Sequence, residues 1–493
     1  MGVGKRALGT IVPAIRHPHD VTLSSEPREA THSGYARAAV VSATSRHPQP
    51  HPMVRYPRSW HTGDVLSDVR RHPMTPSEAM SPSQSPHDAR TDGEAPPDGE
   101  SFDAVIVGGG AAGLSLACHL ADADWSGAVL VIDDGSHPLE HRAWAWWAKE
   151  DGLLDPVASI VCDRQRVAGP GWRRDMALAP YSYRSVTGPE LSAAADRIIA
   201  ARGGYRRVVG TVRAVARDLA GCRVTVDLPE SDGVRTVEIG ARWVFDSVGV
   251  GSQPTAPAPA AHFDFFGLHV ECTVDTFEPG TVTLMDFRTD QSLGVSFMYV
   301  LPTSTRSALV ERTTFVVGAA GRENSAARHE AHVREYVRTH LGTDDYRVAG
   351  CEVGTIPLKC RPPASPVGAV IPIGARAGMV KASTGYGFER IQRHSAAIAS
   401  RLAQGRSPAH AAPVHRWNRA LDASLLRVIG DEPAGAVEIF AALLRRNPAQ
   451  RILAFLDEDA SLGSQFKLFA TLPLAPFARA LLRALMRSLS SRT

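Results

Sequence analysis

The chain has 493 residues, which suggests two or three domains, and its 44% apolar content allows ample cores. A formal charge of +3 is close to neutral for this length and gives no reason to expect a nucleic-acid partner. The six cysteines form no CxxC pair, the histidines show no HExxH-like spacing, and no uninterrupted run of about 18 apolar residues occurs. A metal centre, a disulfide framework and a spanning helix are therefore not expected, and the thiols should be reduced packing groups in a cytoplasmic setting.

Residues 1–100 read as a disordered arm. "RHPHD", "RHPQPHPMVRYPRSW" and "EAMSPSQSPHDARTDGEAPPDGE" are rich in Pro, His, Ser and charge, and no apolar period survives there. The start "VGKRALGTIVPAIRHP" is interrupted by Pro13, Arg16 and Pro18, which argues against a secretory signal.

Order is expected from Phe102. "FDAVIVGGGAAGLSLACHLADADWSGAVLVIDDG" reads as strand, glycine turn, helix, strand. Gly108, Gly110 and Gly113 fit G-x-G-x-x-G. The first glycine allows a tight turn, the second lets a pyrophosphate approach the backbone, and the third lets helix pack on strand. Asp133 closes the second strand, where a carboxylate would hold a ribose hydroxyl. With its strand, helix and acid in place, this pattern points to a dinucleotide site.

The fingerprint opens the folded part, and its companion segments recur far downstream, which favours FAD over NAD. "ARWVFDSVGVGS" (241–252) is an apolar strand closing on Asp246 and glycines. "VIPIGARAGMVKASTGYGFERIQRHSAAIASRLAQG" (370–405) is a strand, a glycine-rich loop and a long helix. It resembles the segment of glutathione-reductase-type flavoproteins that closes over the flavin, which brings Gly374, Ser383, Thr384 and Gly385 to the cofactor. Those proteins usually have Gly-Asp where this chain has Gly374-Ala375. "STGYGF" also reads as an ordinary Ser/Thr-capped helix start.

Between these segments, "FFGLHVECTVD", "GTVTLMDFR", "LGVSFMYVLP" and "SALVERTTF" are strand-like runs at close spacing, the pattern of an antiparallel sheet. In "ALVERTTF" (308–315), alternation puts Glu311 on the face of Leu309, Thr313 and Phe315, with Arg312 on the other. A solvated Glu on an edge strand is the plain alternative. In "LMDFR", Asp286 is a second candidate acid, with a structural ion pair to an arginine the preferred reading.

"RAWAWW", "VFDSVG", "FFGLHVE", "LMDFR", "YVLP", "ALVERTTF", "IPL" and "STGYGFERIQRHS" occur in the order seen in bacterial lycopene β-cyclases, and the resemblance covers about residues 102 to 405. "ALVERTTF" looks like that family's Phe-Leu-Glu-Glu-Thr motif, whose shared Glu matches Glu311; the second Glu is Arg312 here. "RAWAWW" resembles a stretch near the flavin, matched by Arg142 and Trp144. The resemblance implies acid-catalysed closure of the ψ-ends of lycopene, or another linear carotene, to β-rings. Glu311 would be the acid, reduced FAD would steady the carbocation, and NAD(P)H would only keep the flavin reduced. Trp144, Trp146, Phe265, Phe266 and Tyr386 would supply π density, core packing being the other reading of the tryptophans.

The expected fold is α/β: a Rossmann-like FAD-binding domain of glutathione-reductase type, with an inserted antiparallel-sheet substrate domain and a helical C-terminal region. The boundaries are 101–255 and 361–405 for the FAD-binding parts, 256–360 for the sheet and 406–493 for the helices. In the tail "SQFKLFATLPLAPFARALLRALMRSLSSRT", Phe477, Leu481, Leu482, Leu485 and Met486 recur at helical spacing among arginines. This suits an anionic membrane surface, or packing on the domain. The expected location is cytoplasmic, peripheral at the inner face of the membrane. The runner-up function is an FAD/NAD(P)H-dependent monooxygenase or prenyl reductase acting on an apolar isoprenoid. A third reading is a non-catalytic flavin-binding protein of a carotenoid complex.

Overall fold

The computed structural model describes residues 94–217, 221–250, 261–317, 326–358, 364–411, 416–473, 475–476 and 479. Most of the N-terminal arm lies outside the described residues, as do Cys360 and, apart from Arg479, the tail from Phe477 onward that the sequence reads as a helix.

The chain begins its first sheet with β1 (Ser101–Val107), α1 (Ala111–Asp122) and β2 (Val129–Asp133). Next come β3 (Ala143–Ala148), β4 (Ile160–Cys162), β5 (Arg164–Gly169), β6 (Trp172–Ala177), β7 (Ser182–Thr187) and α2 (Gly188–Ala200). Strands β8 (Tyr205–Val209), β9 (Thr211–Arg217), β10 (Cys222–Glu230) and β11 (Gly233–Asp246) return to the first sheet. Then follow β12 (Ala261–Cys272), β13 (Thr281–Asp286), β14 (Ser296–Pro302), β15 (Ser307–Val317), α3 (Ala326–Tyr336), β16 (Tyr346–Pro357) and β17 (Val370–Pro372). Five helices close the described chain: α4 (Phe388–Ala403), α5 (Arg416–Asp431), α6 (Pro433–Arg446), α7 (Ala449–Leu456) and α8 (Leu462–Phe469).

The first sheet has the order β8-β2-β1-β11-β10-β9, with β17 beside β11. Strands β8, β2, β1, β11 and β17 run parallel. Ala104, Val105 and Ile106 are fully buried, as a parallel strand covered on both faces requires. The first half of the long β11 pairs antiparallel with β10, and its second half enters the parallel sheet. Helix α1 packs between this sheet and α4, and the two helices are joined by a polar bridge. Gln392 lies 3.0 Å from His119 Nε2 and donates to Ser115 Oγ at 2.7 Å. Together these elements form the expected Rossmann-like α/β core.

The second sheet has the order β16-β12-β15-β14-β13-β5-β6 and is antiparallel except at β13–β5. It takes β5 and β6 from the stretch before 256, so the inserted sheet is completed by residues 164–177. Helix α3 covers one face, where Phe266, Leu268, Val310 and Val333 form a core. On the other face, Phe263, Phe297 and Phe315 pack with Leu426, Phe440 and Ile452 of the C-terminal helices. A third sheet, β3-β7-β4, lies among the same clusters. Among the described residues no helix is long and apolar enough to cross a membrane.

Candidate functional site

The glycine turn after β1 shows why each of its three fingerprint positions is a glycine or tolerates one. Gly108 has φ +100°, and a Cβ there would meet Ser247 Oγ at 2.1 Å. A Cβ at Gly113 would strike the Gly108 carbonyl oxygen at 1.9 Å, so helix and turn touch through bare backbone. Gly110, by contrast, has open space around its missing side chain. Tight turn, open approach and close packing thus fall on the glycines where the fingerprint needs them. No side chain caps α1, whose N-cap residue is Gly110, so its first N–H groups are free of local side-chain acceptors.

Asp133 sits at the end of β2 beside this turn. Its carboxylate accepts from Gly109 N at 2.6 Å and from Gly135 N at 2.9 Å, which leaves lone pairs for a further donor. Asp246 is buried differently. One oxygen accepts from Val248 N and Gly249 N, and the other lies 2.9 Å from Arg376. Its carboxylate is occupied by its own turn and by the closing loop, so it shapes the cradle from behind. Gly374 has φ +59°, and a Cβ there would meet Ala112 Cβ at 2.7 Å. The downstream loop therefore lies directly on the start of α1. Arg142 is exposed, and its backbone bridges Leu139 and Gly188.

The loop before α4 joins the two halves of the site. Ser383 is buried, while Thr384, Gly385 and Tyr386 are partly so. A Cβ on Gly385 would meet the Phe263 ring at 2.9 Å, so the loop lies against the second sheet. Gly387 is the N-cap of α4 and no side chain caps the helix, so the Ser/Thr-capped alternative for this stretch does not hold. Lys381, 5% exposed, ties the loop to the C-terminal helices through Asp422 at 3.1 Å and Glu458 at 2.8 Å.

Glu311 lies on the sheet face that looks toward this loop. Its cross-strand partners are Tyr299 on β14 and Gly267 on β12, and Gly267 in turn faces Glu352 on β16. Thr313 Oγ1 donates to Glu311 Oε1 at 2.8 Å. Tyr183 and Tyr386 complete the surroundings, their hydroxyls 3.1 Å apart. Burial, with the Glu352 charge added to it, pushes the Glu311 carboxyl up to about 7, against the opposing effects of the Thr313 bond and of His269. Burial pushes the Tyr183, Tyr299 and Tyr386 phenols up as well, and nearby Glu311 contributes to each. The arrangement keeps a sizeable share of this carboxyl protonated near neutral pH, close to aromatic side chains.

Several sequence expectations need correction. Asp286 lies in the second sheet beneath α3, 1% exposed, with Arg288 Nη2 and the Tyr336 hydroxyl each 2.6 Å from its Oδ2. Burial alone would raise its pKa, but Arg288 and Tyr336 hold it below the usual carboxylate range. An ionised anchor of this kind is a poor proton donor, and the structural ion pair is the reading that stands. Phe266 is also in the α3 core, because alternation along β12 sends it away from the face of Gly267 and Glu311. Phe265 keeps the Glu311 face, with its ring over Gly354. Trp144 and Trp146 pack in the nucleotide-side core against Phe388, with ring centroids 6.5 and 4.3 Å away. The tryptophan that meets Tyr386 is Trp147, at 4.6 Å. Alternation within "RAWAWW" was enough to separate Trp147 from Trp144. No short motif marks Tyr299, His269 and Glu352, which strand register brings to the Glu311 face, or Tyr183, which comes from the third sheet.

The family model described as "Lycopene cyclase protein" matches residues 103–482. The chain belongs to the lycopene cyclase family. It is 26% identical over 306 residues to the chloroplastic lycopene beta cyclase of Arabidopsis thaliana, covering 58% of this chain and 56% of that one. Against the chloroplastic lycopene beta cyclase of an Oncidium hybrid cultivar it is 26% identical over 314 residues, covering 58% and 60%. The chain thus spans somewhat over half the length of these curated relatives. Among solved structures, it is similar to a geranylgeranyl bacteriochlorophyll reductase-like protein from Thermoplasma acidophilum, with TM-score 0.49 and 13% identity, covering 78% of this chain and 96% of that one. The p-nitrophenol 4-monooxygenase PnpA from Pseudomonas putida gives 0.46 and 17%, covering 77% and 99%.

Proposed function

We propose that the protein is a flavin-dependent lycopene β-cyclase, which closes the ψ-ends of lycopene, or of another linear carotene, to β-rings without net redox change. The observation that carries this reading is the Glu311 carboxyl, pushed up to about 7 by burial among Tyr183, Tyr299 and Tyr386. Membership of the lycopene cyclase family supports it.

A linear carotene offers only double bonds to activate. Glu311 donates its proton to the terminal C1=C2 bond and leaves a tertiary cation at C1. The C5=C6 bond attacks that cation, and transfer of the C6 proton back to the enzyme, with the Glu311 carboxylate as its acceptor, gives the β-ring and restores the acid, so substrate and product are isomers. FAD suits the cradle formed by Gly108, Gly110, Gly113, Asp133 and the Gly374 loop; in its reduced form it supplies negative charge near the cation, with NAD(P)H as reductant. Phenol and indole faces of Tyr386 and Trp147 add π density to a dry wall around the reacting end. The tyrosine hydroxyls are kept protonated by burial and do not compete as bases.

A substrate this apolar is drawn from a lipid bilayer, so the protein works as a peripheral protein at the inner face of the membrane, with the basic tail beyond Pro476 as its contact. Expression in lycopene-accumulating cells, followed by pigment analysis, tests the reading. β-Rings should appear, and the purified enzyme should turn over without consuming NAD(P)H in proportion to product. Stoichiometric NAD(P)H consumption would instead point to a monooxygenase or prenyl reductase.

A further inference from the structure

One polar pair on the Glu311 face has no part in that chemistry. His269 on β12 and Glu352 on the edge strand β16 are joined by a bond of 2.8 Å between Nε2 and Oε1. Their side chains are 42% and 25% exposed, so the pair stands at the rim where the sheet face opens to solvent. Glu352 and Glu311 are both register partners of Gly267, one on each side. A Cβ on Gly267 would meet Leu309 Cδ1 at 2.7 Å and Glu311 Cβ at 3.2 Å. Gly267 thus adds no side chain of its own between the two carboxylate-bearing strands, which lie two strand spacings or roughly 10 Å apart, and the Leu309 and Glu311 side chains close over it.

We propose that Glu352 and His269 are positioning residues that set the protonation state of Glu311 across the Gly267 position of β12. The inference rests on the reading of Glu311 as proton donor. Tyr299 faces Glu311 from β14, Tyr183 from β7, Tyr386 from the loop before α4 and Thr313 from its own strand. The tyrosines are neutral and Thr313 is uncharged. The charges that reach Glu311 are those of Glu352 and His269, of opposite sign. The Glu352 charge disfavours a second carboxylate at Glu311. Protonated His269, its own pKa raised by the bond to Glu352, counteracts this. The pair thus balances Glu311 from the solvent rim of the sheet face.

The two partners should act in opposite directions. Replacing Glu352 by Gln removes the like charge, so Glu311 loses its proton at lower pH. Replacing His269 by Asn removes the cation and leaves the Glu352 charge unmasked, so Glu311 keeps its proton to higher pH. At this distance and partial burial each shift should be about half a unit to one unit. The measurement is infrared titration of the full-length flavin-loaded protein, following the band of the protonated carboxyl that Glu311→Gln abolishes. Its midpoint should fall in Glu352→Gln and rise in His269→Asn, and the alkaline limb of the activity profile should follow. Shifts of the same sign, no shift, or loss of flavin in either variant would overturn the proposal. Full turnover in Glu311→Gln would instead remove Glu311 as donor, an outcome read separately from the two midpoints.

Discussion

Glu311 and Arg312 are neighbours in the chain, yet they lie on opposite faces of one strand in two different interiors. Glu311 looks toward Tyr299, Tyr183 and Tyr386, while Arg312, 0% exposed, lies on the α3 side and donates to the Asp290 carbonyl at 2.8 Å and Ser296 Oγ at 3.1 Å. One strand thus carries the proposed acid and a buried cation, separated by side-chain alternation alone.

Glu311→Gln should abolish cyclisation and leave the flavin in place. The amide keeps the size but cannot protonate an alkene, and a general acid contributes about 10²- to 10⁴-fold. In the parent, the donor is active when protonated. With its carboxyl pushed up to about 7, activity should be full below that value and fall as pH rises through it. Pigment analysis and flavin absorbance of the purified variant check both parts. Near-native turnover, or flavin lost along with activity, would remove Glu311 from its role.

Arg312→Gln should act on stability. From the octamer alone, a side chain pointing away from the acid reads as a mild site. The structure instead buries it beneath α3, where burial pulls its pKa down to about 10. Leaving the bonded groups unsatisfied costs about 1–3 kcal/mol. The melting temperature should drop while turnover per folded molecule stays near the parent value. A selective loss of turnover in a fully stable variant would contradict this.

Asp286→Asn separates the anchor from the acid. Its folded pKa is depressed, so the stability it contributes is present above the usual carboxylate range and is lost as pH falls through the folded value. The variant should melt earlier at neutral pH, the deficit should shrink in acid, and cyclisation should persist. An unchanged melting curve with abolished cyclisation would return Asp286 to the list of donors.

The nucleotide cradle and the face of Glu311 were legible because both rest on local rules. G-x-G-x-x-G fixes a turn, and a period of two fixes which side chains share a face. The same rule lets only one of each pair, Phe265 rather than Phe266 and Trp147 rather than Trp146, face the Glu311 side. Glu352 and Tyr299 are a different matter. Glu352 lies 41 positions from Glu311 in the chain and Tyr299 lies 12, and only the pairing of β16, β12, β15 and β14 aligns them. Strand register over such separations depends on turns and packing that no short motif records. The entry of β5 and β6 into the second sheet escaped for the same reason.

Gly110→Val should empty the cradle without unfolding the sheet. No protein atom lies within 4 Å of where a Cβ would stand, so the side chain is admitted at its base and projects into the approach path of a pyrophosphate. Purified variant should carry little FAD yet retain its helix and strand content by circular dichroism. Normal FAD content would show that the fingerprint binds elsewhere.

The N-terminal boundary is the last test. Composition alone puts the dispensable arm at residues 1–100, but the final residues of that stretch are built into the first sheet. Asp98 Oδ1 accepts from Glu238 N at 2.8 Å, Gly99 N donates to the Glu238 carbonyl at 2.8 Å, and Glu100 pairs with Arg206. These contacts hold the entry to β1, the strand that leads into the glycine turn, against β11 and β8. A chain beginning at Glu94 should therefore convert pigment as the full chain does. One beginning at Ser101 loses the backbone bond, the Asp98 bond and the ion pair, and should melt lower by about 1–3 kcal/mol of stability. Thermal melts of the two truncations, with flavin content as a second reading, distinguish them. Equal stability would put the boundary at 100, and loss of folding in the longer truncation product would show that residues before Glu94 are part of the fold.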